Sequence, residues 1–156
     1  VDTYPNTKGL IHPHSYAMLH QLQDRLSHPR IVYADWRQRR SAIADFVRSK
    51  QALVLCACGV NEGFDLPYEV GFQVLPKVPY PDLGQPLVAA RCRNNRDWYL
   101  QETVHAMVQA IGRVARAPDD FGETYILDAA AQRLFTQEPD MWPAWIRRQA
   151  REVLDD

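Results

Sequence analysis

The sequence predicts a single α/β domain in which helices flank a parallel β-sheet. Short apolar runs alternate with stretches whose apolar residues recur at helical spacing, which is the pattern of successive βαβ units. One run, residues 52–57, is apolar throughout and is therefore typical of a central strand covered on both faces. A chain of 156 residues is long enough for one domain with a sizeable core and too short for two ordinary ones.

Five strands are predicted from short apolar runs that end at turn-forming residues. Residues 59–69, after the third strand, are predicted to form a loop. The prolines between residues 76 and 86 predict an ordered but irregular connection after the fourth strand. In chain order, the predicted strands are residues 9–12, 31–34, 52–57, 72–75 and 124–127.

Five helices are predicted from apolar residues spaced three and four positions apart. Ser15 is a suitable N-cap for the first of them. The inward face of the second is predicted to hold Ile43, Phe46 and Val47, and the two tryptophans of the last helix are expected to pack on the domain. In chain order, the predicted helices are residues 15–26, 37–49, 97–116, 129–135 and 139–154.

The composition excludes several classes of protein. The net charge of −1 creates no overall field for nucleic acid, so such binding would depend on local patches. No apolar run approaches the ~20 residues that a membrane span needs. Three cysteines, an odd number, fit a reducing compartment. We therefore expect a cytoplasmic protein in which Cys56 and Cys58 are buried strand residues rather than metal ligands.

Residues 109–116, QAIGRVAR, are predicted to end the longest helix with two arginines and no nearby acid. Gln109, Arg113 and Arg116 would then share one helical face, at positions i, i+4 and i+7. Guanidinium groups suit phosphate oxygens, so this face is a candidate phosphate contact. The alternative is that cations near a helix C-terminus offset the helix dipole on a solvated surface. The opposite, buried stripe would consist of Val104, Val108, Ile111 and Ala115.

The loop after the third strand contains the sequence NEGFDLP at residues 61–67. Ligands of open α/β sheets gather outside the carboxyl ends of the strands. Gly63 permits close backbone approach there, and Asp65 is able to accept a hydrogen bond from a ribose hydroxyl, an arginine or a metal-bound water. The alternative is an Asx-type turn in which Asp65 only shapes the loop before Pro67.

The loop after the first strand leads into a predicted helix N-terminus at Ser15, whose free N–H groups are a candidate site for a backbone phosphate. Tyr16 is a candidate for stacking on a base or a sugar. The alternative is an ordinary N-cap beside a half-buried tyrosine. His12 and His14 have HxH spacing without an evident third ligand, so no metal site is predicted.

Two basic segments have aromatic neighbours, a pattern that suits a nucleic-acid backbone and equally suits a solvated helix face. They are Trp36 with Arg37, Arg39 and Arg40, and Arg91, Arg93 and Arg96 with Trp98 and Tyr99. The chain contains no Walker A loop, no HExxH and no GxSxG sequence. By itself it therefore lacks the residues for tight nucleotide binding or nucleophilic catalysis.

Three segments, taken in order, resemble the second motor domain of superfamily 2 DNA helicases of the XPD/DinG type. They are KGLIHPHSY at 8–16, NEGFDLP at 61–67 and QAIGRVAR at 109–116. The QxxGRxxR pattern is shared by many helicases, whereas EGFDLP and the proline-rich stretch indicate this branch. Similar connecting segments are VPYPDLGQP, DWY, DDFG and TYILD, so the resemblance covers about residues 6–145.

The resemblance implies a RecA-like fold, related to the P-loop NTPases, that forms one wall of an ATP cleft. The Walker A lysine and the DEAH-type acid would belong to a first motor domain outside this chain. ATP and Mg²⁺ would be held mainly there, and residues 1–156 would be one domain of a longer protein. Arg113 and Arg116 would reach the γ-phosphate, with Arg116 as the arginine finger, while Gln109 would position the phosphate or the attacking water. The other residues expected at the nucleotide are Gly63, Asp65 and Gly112.

By the same resemblance, Ser15, Tyr16, Asn61 and Trp36 would contact single-stranded DNA. The expected function is that of the C-terminal motor domain of an ATP-dependent DNA helicase, of the DNA-repair type and of 5′ to 3′ polarity, inactive when isolated. No iron–sulfur cluster is expected in this chain, because its three cysteines match no ligand set of the family. The expected partners are the first motor domain and single-stranded DNA, with no membrane. The alternatives are a non-catalytic nucleic-acid-binding or docking module, a helicase-like domain of a nuclease or defence system, and an RNA substrate.

Overall fold

A computed structural model describes residues 1–59, 70–114 and 121–151, and within them five parallel strands form one sheet. The strands are β1 (Lys8–Ile11), β2 (Ile31–Ala34), β3 (Val54–Ala57), β4 (Val70–Leu75) and β5 (Glu123–Ile126). Their order across the sheet is β2-β3-β1-β4-β5, so β1 is central and pairs with both β3 and β4. The predicted α/β class with a parallel sheet is confirmed.

The helices are α1 (Tyr16–Arg25), α2 (Arg39–Arg48), α3 (Pro86–Asn94), α4 (Arg96–Ile111), α5 (Ala129–Gln137), a short 3₁₀ helix (Pro139–Met141) and α6 (Ala144–Gln149). The chain divides into two compact units. The first comprises Val1–Lys77 and Gln109–Leu127 and holds the sheet, α1 and α2. The second comprises Val78–Val108 and Asp128–Asp156 and holds α3, most of α4, α5 and α6. Among the residues that the structure describes, no helix has the length and apolar character needed to cross a membrane.

In the first unit, the sheet is covered by a helix on each face, because successive strand residues point to opposite sides. On one face, Ile43 and Phe46 of α2 join a buried cluster that includes Leu10 and Leu55. On the other face, Leu19 of α1 joins a cluster of the alternating neighbours, which include Ile11, Cys56 and Phe72. The apolar third strand therefore lies inside the sheet, between β2 and β1, and is buried on both faces, as its sequence predicts.

Val47 is not part of this core, contrary to the prediction, and 37% of its surface is exposed. Consecutive residues of a helix are rotated by about 100° relative to each other, so Val47 turns away when Phe46 points inward. Helix α2 also begins at Arg39 rather than at residue 37. The preceding turn is held by Asp35, whose Oδ1 atom accepts hydrogen bonds from the backbone N–H groups of Arg37 and Gln38.

Gly9 lies at the centre of the sheet, where β1 passes directly beside the ring of Phe72 on β4. A Cβ atom at position 9 would lie 2.2 Å from the nearest carbon of that ring, which is far inside van der Waals contact. Phe72 is itself held by Tyr4, whose ring stacks on it with centroids 4.5 Å apart. A glycine at this position therefore allows an aromatic residue to fill the core next to the central strand.

The N-terminal segment is fastened to the sheet by the guanidinium of Arg30. Its Nη1 atom donates to the carbonyls of Val1 at 3.1 Å and Tyr4 at 2.7 Å, and Nη2 donates to that of Thr7 at 2.7 Å. The Nε atom donates to the carbonyl of Ala52, just before β3. One planar group thus satisfies four backbone acceptors, which the fork geometry of arginine permits.

Helix α3 was not predicted, because the prolines before it suggested an irregular connection and no apolar face marked a helix. Pro86 occupies the first turn of α3, where its missing N–H costs nothing, and none of the helix residues is buried. The second unit instead derives its apolar interior from other elements. Val78, Leu100, Ala131, Leu134, Trp142 and Ile146 are buried there.

The C-terminal segment is shorter and more broken than the predicted helix of residues 139–154. The 3₁₀ helix ends at Met141, and α6 begins only after Pro143. Trp142 is buried, stacks on Phe135 with centroids 3.9 Å apart and donates its indole N–H to a backbone carbonyl of α5 at 3.3 Å. Trp145 remains 38% exposed, so only one of the two tryptophans packs as expected.

Candidate functional site

Helix α4 ends at Ile111, earlier than the sequence pattern predicts, and residues 112–114 form a turn. The N–H of Arg113 donates to the carbonyl three residues earlier, at 3.0 Å, which is the spacing of a tightened last turn. Gln109 lies on the helix and is exposed, whereas Arg113 lies in the turn and is half-buried. The prediction that they share one helical face is therefore wrong. Gly112 explains part of the early ending, since glycine disfavours helix by roughly 1 kcal/mol relative to alanine.

The buried stripe predicted for this helix is correct only in part. Val104 is buried, Val108 and Ile111 are partly buried, and Ala115 lies outside the described residues. The other buried positions of α4 are Leu100, Thr103, Met107 and Ala110.

The side chain of Gln73 on β4 holds the end of α4, a role that the sequence analysis did not predict. Its side chain is fully buried, and its Nε2 atom donates to the carbonyls of Ala110 at 2.8 Å and Ile111 at 3.3 Å. The same amide donates to the Thr124 hydroxyl on β5 at 2.8 Å. The same two carbonyls accept the backbone N–H groups of Arg113 at 3.0 Å and Val114 at 3.4 Å, so the Gln73 amide is a second donor to the tightened last turn. A polar amide within an otherwise apolar strand is the one signal that predicts such a role, because buried polar groups need hydrogen-bond partners.

The turn after α4 is held against the start of β5 by a second close contact. Val114 is buried, and a Cβ atom on Gly122 would lie 2.6 Å from its carbonyl oxygen. Gly122 directly precedes β5, so the turn lies at the amino end of that strand. Gln109, Gly112 and Arg113 are thus positioned by two strands of the sheet. Arg116, the predicted finger, lies outside the described residues.

Ser15 caps α1, as predicted, and accepts a hydrogen bond from the backbone N–H of Met18 at 3.2 Å. Tyr16 is partly buried and packs against the cluster around Leu19. His12, at the end of β1, is buried, and His14 is exposed. The N-cap interpretation is therefore confirmed, and any nucleic-acid contact at this loop is a role added to a structural one.

Of the predicted nucleic-acid residues that the structure describes, Trp36 is the most accessible, with 64% of its surface exposed. It lies in the turn shaped by Asp35, and the guanidinium of Arg37 lies over its ring, 4.9 Å from the centroid. Arg39 donates a hydrogen bond to the carbonyl of Gly59, whose φ of 64° is a left-handed conformation that favours glycine. The loops after β2 and β3 are therefore joined by one arginine.

The two groups of candidate residues lie at opposite ends of the strands. Ser15, Trp36 and Gly59 follow β1, β2 and β3, whose carboxyl ends meet at one edge because the strands are parallel and in register. The turn of residues 112–114 lies instead beside the amino end of β5. Asn61, Gly63 and Asp65, predicted in the loop after β3, lie outside the described residues.

The second basic segment lies in the second unit, and its side chains contact one another and neighbouring residues of the same surface. The Arg91 guanidinium lies 4.1 Å from the centroid of the Trp98 ring, and the Trp98 indole N–H donates to Glu102 at 3.1 Å. These contacts fit a structured helix surface, which was one of the two interpretations of this segment.

Cys56 and Cys58 are buried thiols, and no disulfide involves them or Cys92. Burial raises the pKa of Cys56 to about 12, and the neighbouring Cys58 adds to the shift. Burial also raises the pKa of Cys58, although the Arg39 cation acts in the opposite direction. Over the described part of the chain, no cluster of three or more His, Cys, Asp or Glu residues is arranged to hold a metal ion.

We expect alkylation of the native chain at pH 8 to modify Cys92, which is half-buried, well before Cys56. A pKa of about 12 leaves a thiolate fraction of about 10⁻⁴ at that pH, and only the thiolate reacts. Mass spectrometry of iodoacetamide-treated protein measures this order, with all three thiols modified in denaturant as the control. Rapid labelling of native Cys56 would contradict this order.

The raised pKa of Cys56 also makes the stability of the fold depend on pH. Because the folded pKa exceeds the usual 9.0, the Cys56 thiol stabilises the fold below pH 9, and this contribution is lost as the pH rises towards 12.

The fold and these residues define a class of protein, a RecA-like domain. Its sheet is covered by helices on both faces, and its described candidate residues lie at the two opposite ends of the strands. The chain belongs to the helicase C-terminal domain family, whose profile matches residues 3–149.

Relatives and solved structures agree with this assignment. The regulator of telomere elongation helicase 1 homolog of Caenorhabditis elegans is 30% identical over an alignment of 112 residues, and the match covers 61% of this chain and 11% of that protein. The homolog of Anopheles gambiae is 32% identical over an alignment of 114 residues, and the match covers 64% of this chain and 11% of that protein. The chain thus spans about a tenth of the length of the curated relatives that it matches.

Two solved structures show the same fold. The structure of S. tokodaii Xpd4 has a TM-score of 0.65 and 20% identity, and the match covers 86% of this chain and 29% of that one. A structure of apo XPD has a TM-score of 0.67 and 14% identity, with 91% of this chain and 32% of that one covered. The resemblance to XPD-type helicases noted in the sequence is confirmed.

Proposed function

We propose that this chain is the second motor domain of an ATP-dependent DNA helicase that moves 5′ to 3′ on single-stranded DNA. One observation carries the proposal: the described phosphate candidates, Gln109 to Arg113, lie beside the amino end of β5, whereas the DNA candidates Ser15 and Trp36 follow the carboxyl ends of β1 and β2. A motor domain needs this separation, because it must contact ATP and DNA at the same time and pass the state of one site to the other.

On the nucleotide side, Gln109 and Arg113 lie at the end of α4, where Gln73 and the contact between Val114 and Gly122 hold the backbone. Arg113 and Arg116 would reach the γ-phosphate of ATP across the cleft. Guanidiniums aimed at the transferring phosphoryl group stabilise the charge that develops on it. Because the chain has no Walker A loop, the triphosphate and Mg²⁺ would be held mainly by the first motor domain.

Gly112 would allow the backbone to approach the nucleotide closely, and Gly63 and Asp65 would couple the state of the nucleotide to the cleft and to DNA. Each cycle would close the cleft when ATP binds and open it after hydrolysis. The two motor domains would alternate their grips on the strand as the cleft opens and closes.

On the DNA side, Trp36 offers an exposed ring for stacking on a base, with the Arg37 cation beside it for a phosphate. The N-terminus of α1 at Ser15 adds backbone N–H groups and the positive end of a helix dipole. Tyr16 and Asn61 would complete the contact, Tyr16 through the part of its ring that remains accessible.

We expect Trp36→Ala to lower the affinity of the chain for an oligo(dT) strand by about 5- to 150-fold, because stacking on an aromatic ring contributes about 1–3 kcal/mol per base. Fluorescence anisotropy at one fixed salt concentration measures the effect. Trp145→Ala is the matched control, since Trp145 is a partly exposed tryptophan of the second unit and should leave the affinity unchanged. Equal affinities of wild type and Trp36→Ala would exclude this surface from DNA binding.

A further inference from the structure

The second unit contains an open cavity that the roles proposed above leave unused. Its volume is about 270 Å³, and it lies where the start of α4 meets α5 and the segment after Val78. The lining residues are Tyr80, Arg96, Leu100, Arg133, Leu134, Gln137 and Glu138. The cavity combines an apolar floor with a cationic wall, and each part has its own chemistry.

The cationic wall consists of the guanidiniums of Arg96 and Arg133. Within the described ranges of the chain, neither of them forms an ion pair, and both side chains are exposed. Arg96 is the first residue of α4, so the positive end of a long helix dipole adds to its charge. Two guanidiniums that form no ion pair suit the oxygens of a phosphate group, which they bind through paired N–H donors.

Acidic residues nearby do not neutralise this wall. Glu138 contributes one carboxylate to the lining against two cations. The oxygens of Asp128 accept hydrogen bonds from the backbone N–H groups of Val78 at 3.0 Å and Ala130 at 3.0 Å. That carboxylate is therefore occupied as the N-cap of α5. Among the lining residues, two guanidiniums therefore outnumber one carboxylate, while Asp128 and Asp97, in the first turn of α4, lie outside the lining.

Tyr80 provides a neutral hydrogen-bond donor at the same place. Its ring stacks on Tyr99 with centroids 5.7 Å apart, and the Tyr99 hydroxyl is anchored to the carbonyl of Pro81 at 3.2 Å. Burial raises the pKa of Tyr80, with Asp128 adding to the rise and the cations of Arg133 and Arg96 opposing it. The hydroxyl thus stays protonated at neutral pH, and both guanidiniums are close enough to influence it.

The floor of the cavity consists of Leu100 and Leu134, which are both buried. An inorganic anion alone would not use this surface, whereas the sugar or base of a nucleotide would cover it. A volume of about 270 Å³ is just below the range of drug-sized ligand pockets, roughly 300–1,000 Å³, and fits one nucleotide unit better than a larger ligand.

We propose that this cavity binds a single nucleotide unit, with its phosphate between Arg96, Arg133 and the Tyr80 hydroxyl and its sugar or base on Leu100 and Leu134. The unit is either a free nucleoside monophosphate or one nucleotide of a strand, since both present the same phosphate and sugar. The site lies wholly in the second unit and uses none of the residues assigned to ATP or to the first DNA surface. It therefore does not depend on the motor function proposed above.

Titration of the ¹⁵N-labelled 156-residue chain with dTMP tests the proposal. We expect saturable shifts of the backbone signals around residues 96–100 and 133–138. Arg96→Gln and Arg133→Gln should each weaken binding tenfold or more, and Tyr80→Phe, which keeps the ring stack, should weaken it several-fold. Arg148→Gln removes an exposed arginine of the same unit outside the cavity and should change nothing. The spectra of the variants also report whether each of them remains folded.

Two further ligands identify the source of the nucleotide unit. If unphosphorylated oligo(dT) shifts the same signals and is weakened by the same variants, the cavity holds one nucleotide of a strand. If only dTMP does so, it holds a free nucleotide. Inorganic phosphate should bind more weakly than dTMP, because it does not cover the apolar floor. No saturable shift with any nucleotide, equal binding by the arginine variants, or tighter binding of a phosphoserine peptide would overturn the proposal.

Discussion

Replacing Arg116 by alanine in a protein that joins this chain to its first motor domain should lower DNA-stimulated ATP hydrolysis by about 10³- to 10⁵-fold, the usual contribution of an arginine finger. Arg113→Ala should also lower the rate strongly, because both arginines are proposed to reach the γ-phosphate. The reason is electrostatic: charge spreads over the phosphoryl oxygens in the transition state, and a guanidinium already in place stabilises it without reorganisation.

The measurement is steady-state ATP hydrolysis with and without single-stranded DNA. Arg93→Ala is the matched control, since it removes an exposed arginine that has no role in the proposed cleft. Binding of a fluorescent ATP analogue should change far less than the rate, because a finger acts mainly in the transition state. The isolated chain should hydrolyse no ATP. Hydrolysis that survives both substitutions would refute the finger, and single-strand binding without any hydrolysis in the wild type would favour the docking-module alternative.

Substituting Gly9 by alanine should destabilise the chain by about 3 kcal/mol, at the upper end of the usual cost of overpacking. The added Cβ atom would lie 2.2 Å from the Phe72 ring, and neither side has room to move. β1 is held on both sides by β3 and β4, and the ring is held by its stack on Tyr4. The free energy of unfolding, from a urea titration followed by circular dichroism, measures the loss.

Gly84→Ala is the control, because its nearest neighbour would be the Oδ1 atom of exposed Asp82 at 3.0 Å, and only the hydrogen bond from the Gly84 N–H at 2.8 Å holds that atom in place. Its effect should stay within about 0.5 kcal/mol. Adding Phe72→Leu to Gly9→Ala should recover part of the loss, with a coupling energy of about 1 kcal/mol or more between the two sites. A Gly9→Ala chain as stable as the wild type would show that the ring is able to yield.

The sequence predicted those features that depend on residues close together along the chain. The second strand was placed at residues 31–34, where the structure has it, and Ser15 was identified as the cap of α1. The burial of β3 on both faces followed from its unbroken apolar run. Apolar periodicity, capping and the alternation of strands and helices are local properties, so a single sequence is enough to read them.

The sequence also indicated the protein family, because three motifs in the right order resemble the XPD/DinG type. The match to the helicase C-terminal domain family confirmed this assignment. Motifs of this kind report chemistry that many relatives share. They do not report how each chain positions the residues. The roles of all the predicted site residues accordingly stay predictions, and four of these residues, Asn61, Gly63, Asp65 and Arg116, lie outside the described part of the chain.

Only the tertiary structure decided where α4 ends and which side chains line the cavity of the second unit. Periodicity continued the helix to Arg116, but the amide of Gln73, distant in sequence, takes the carbonyls of Ala110 and Ile111, and the backbone turns at Gly112. The same holds for the cavity between Arg96 and Arg133, which no spacing along the chain suggests. Contacts between residues far apart in sequence leave no local period, so they become visible only when the chain is folded.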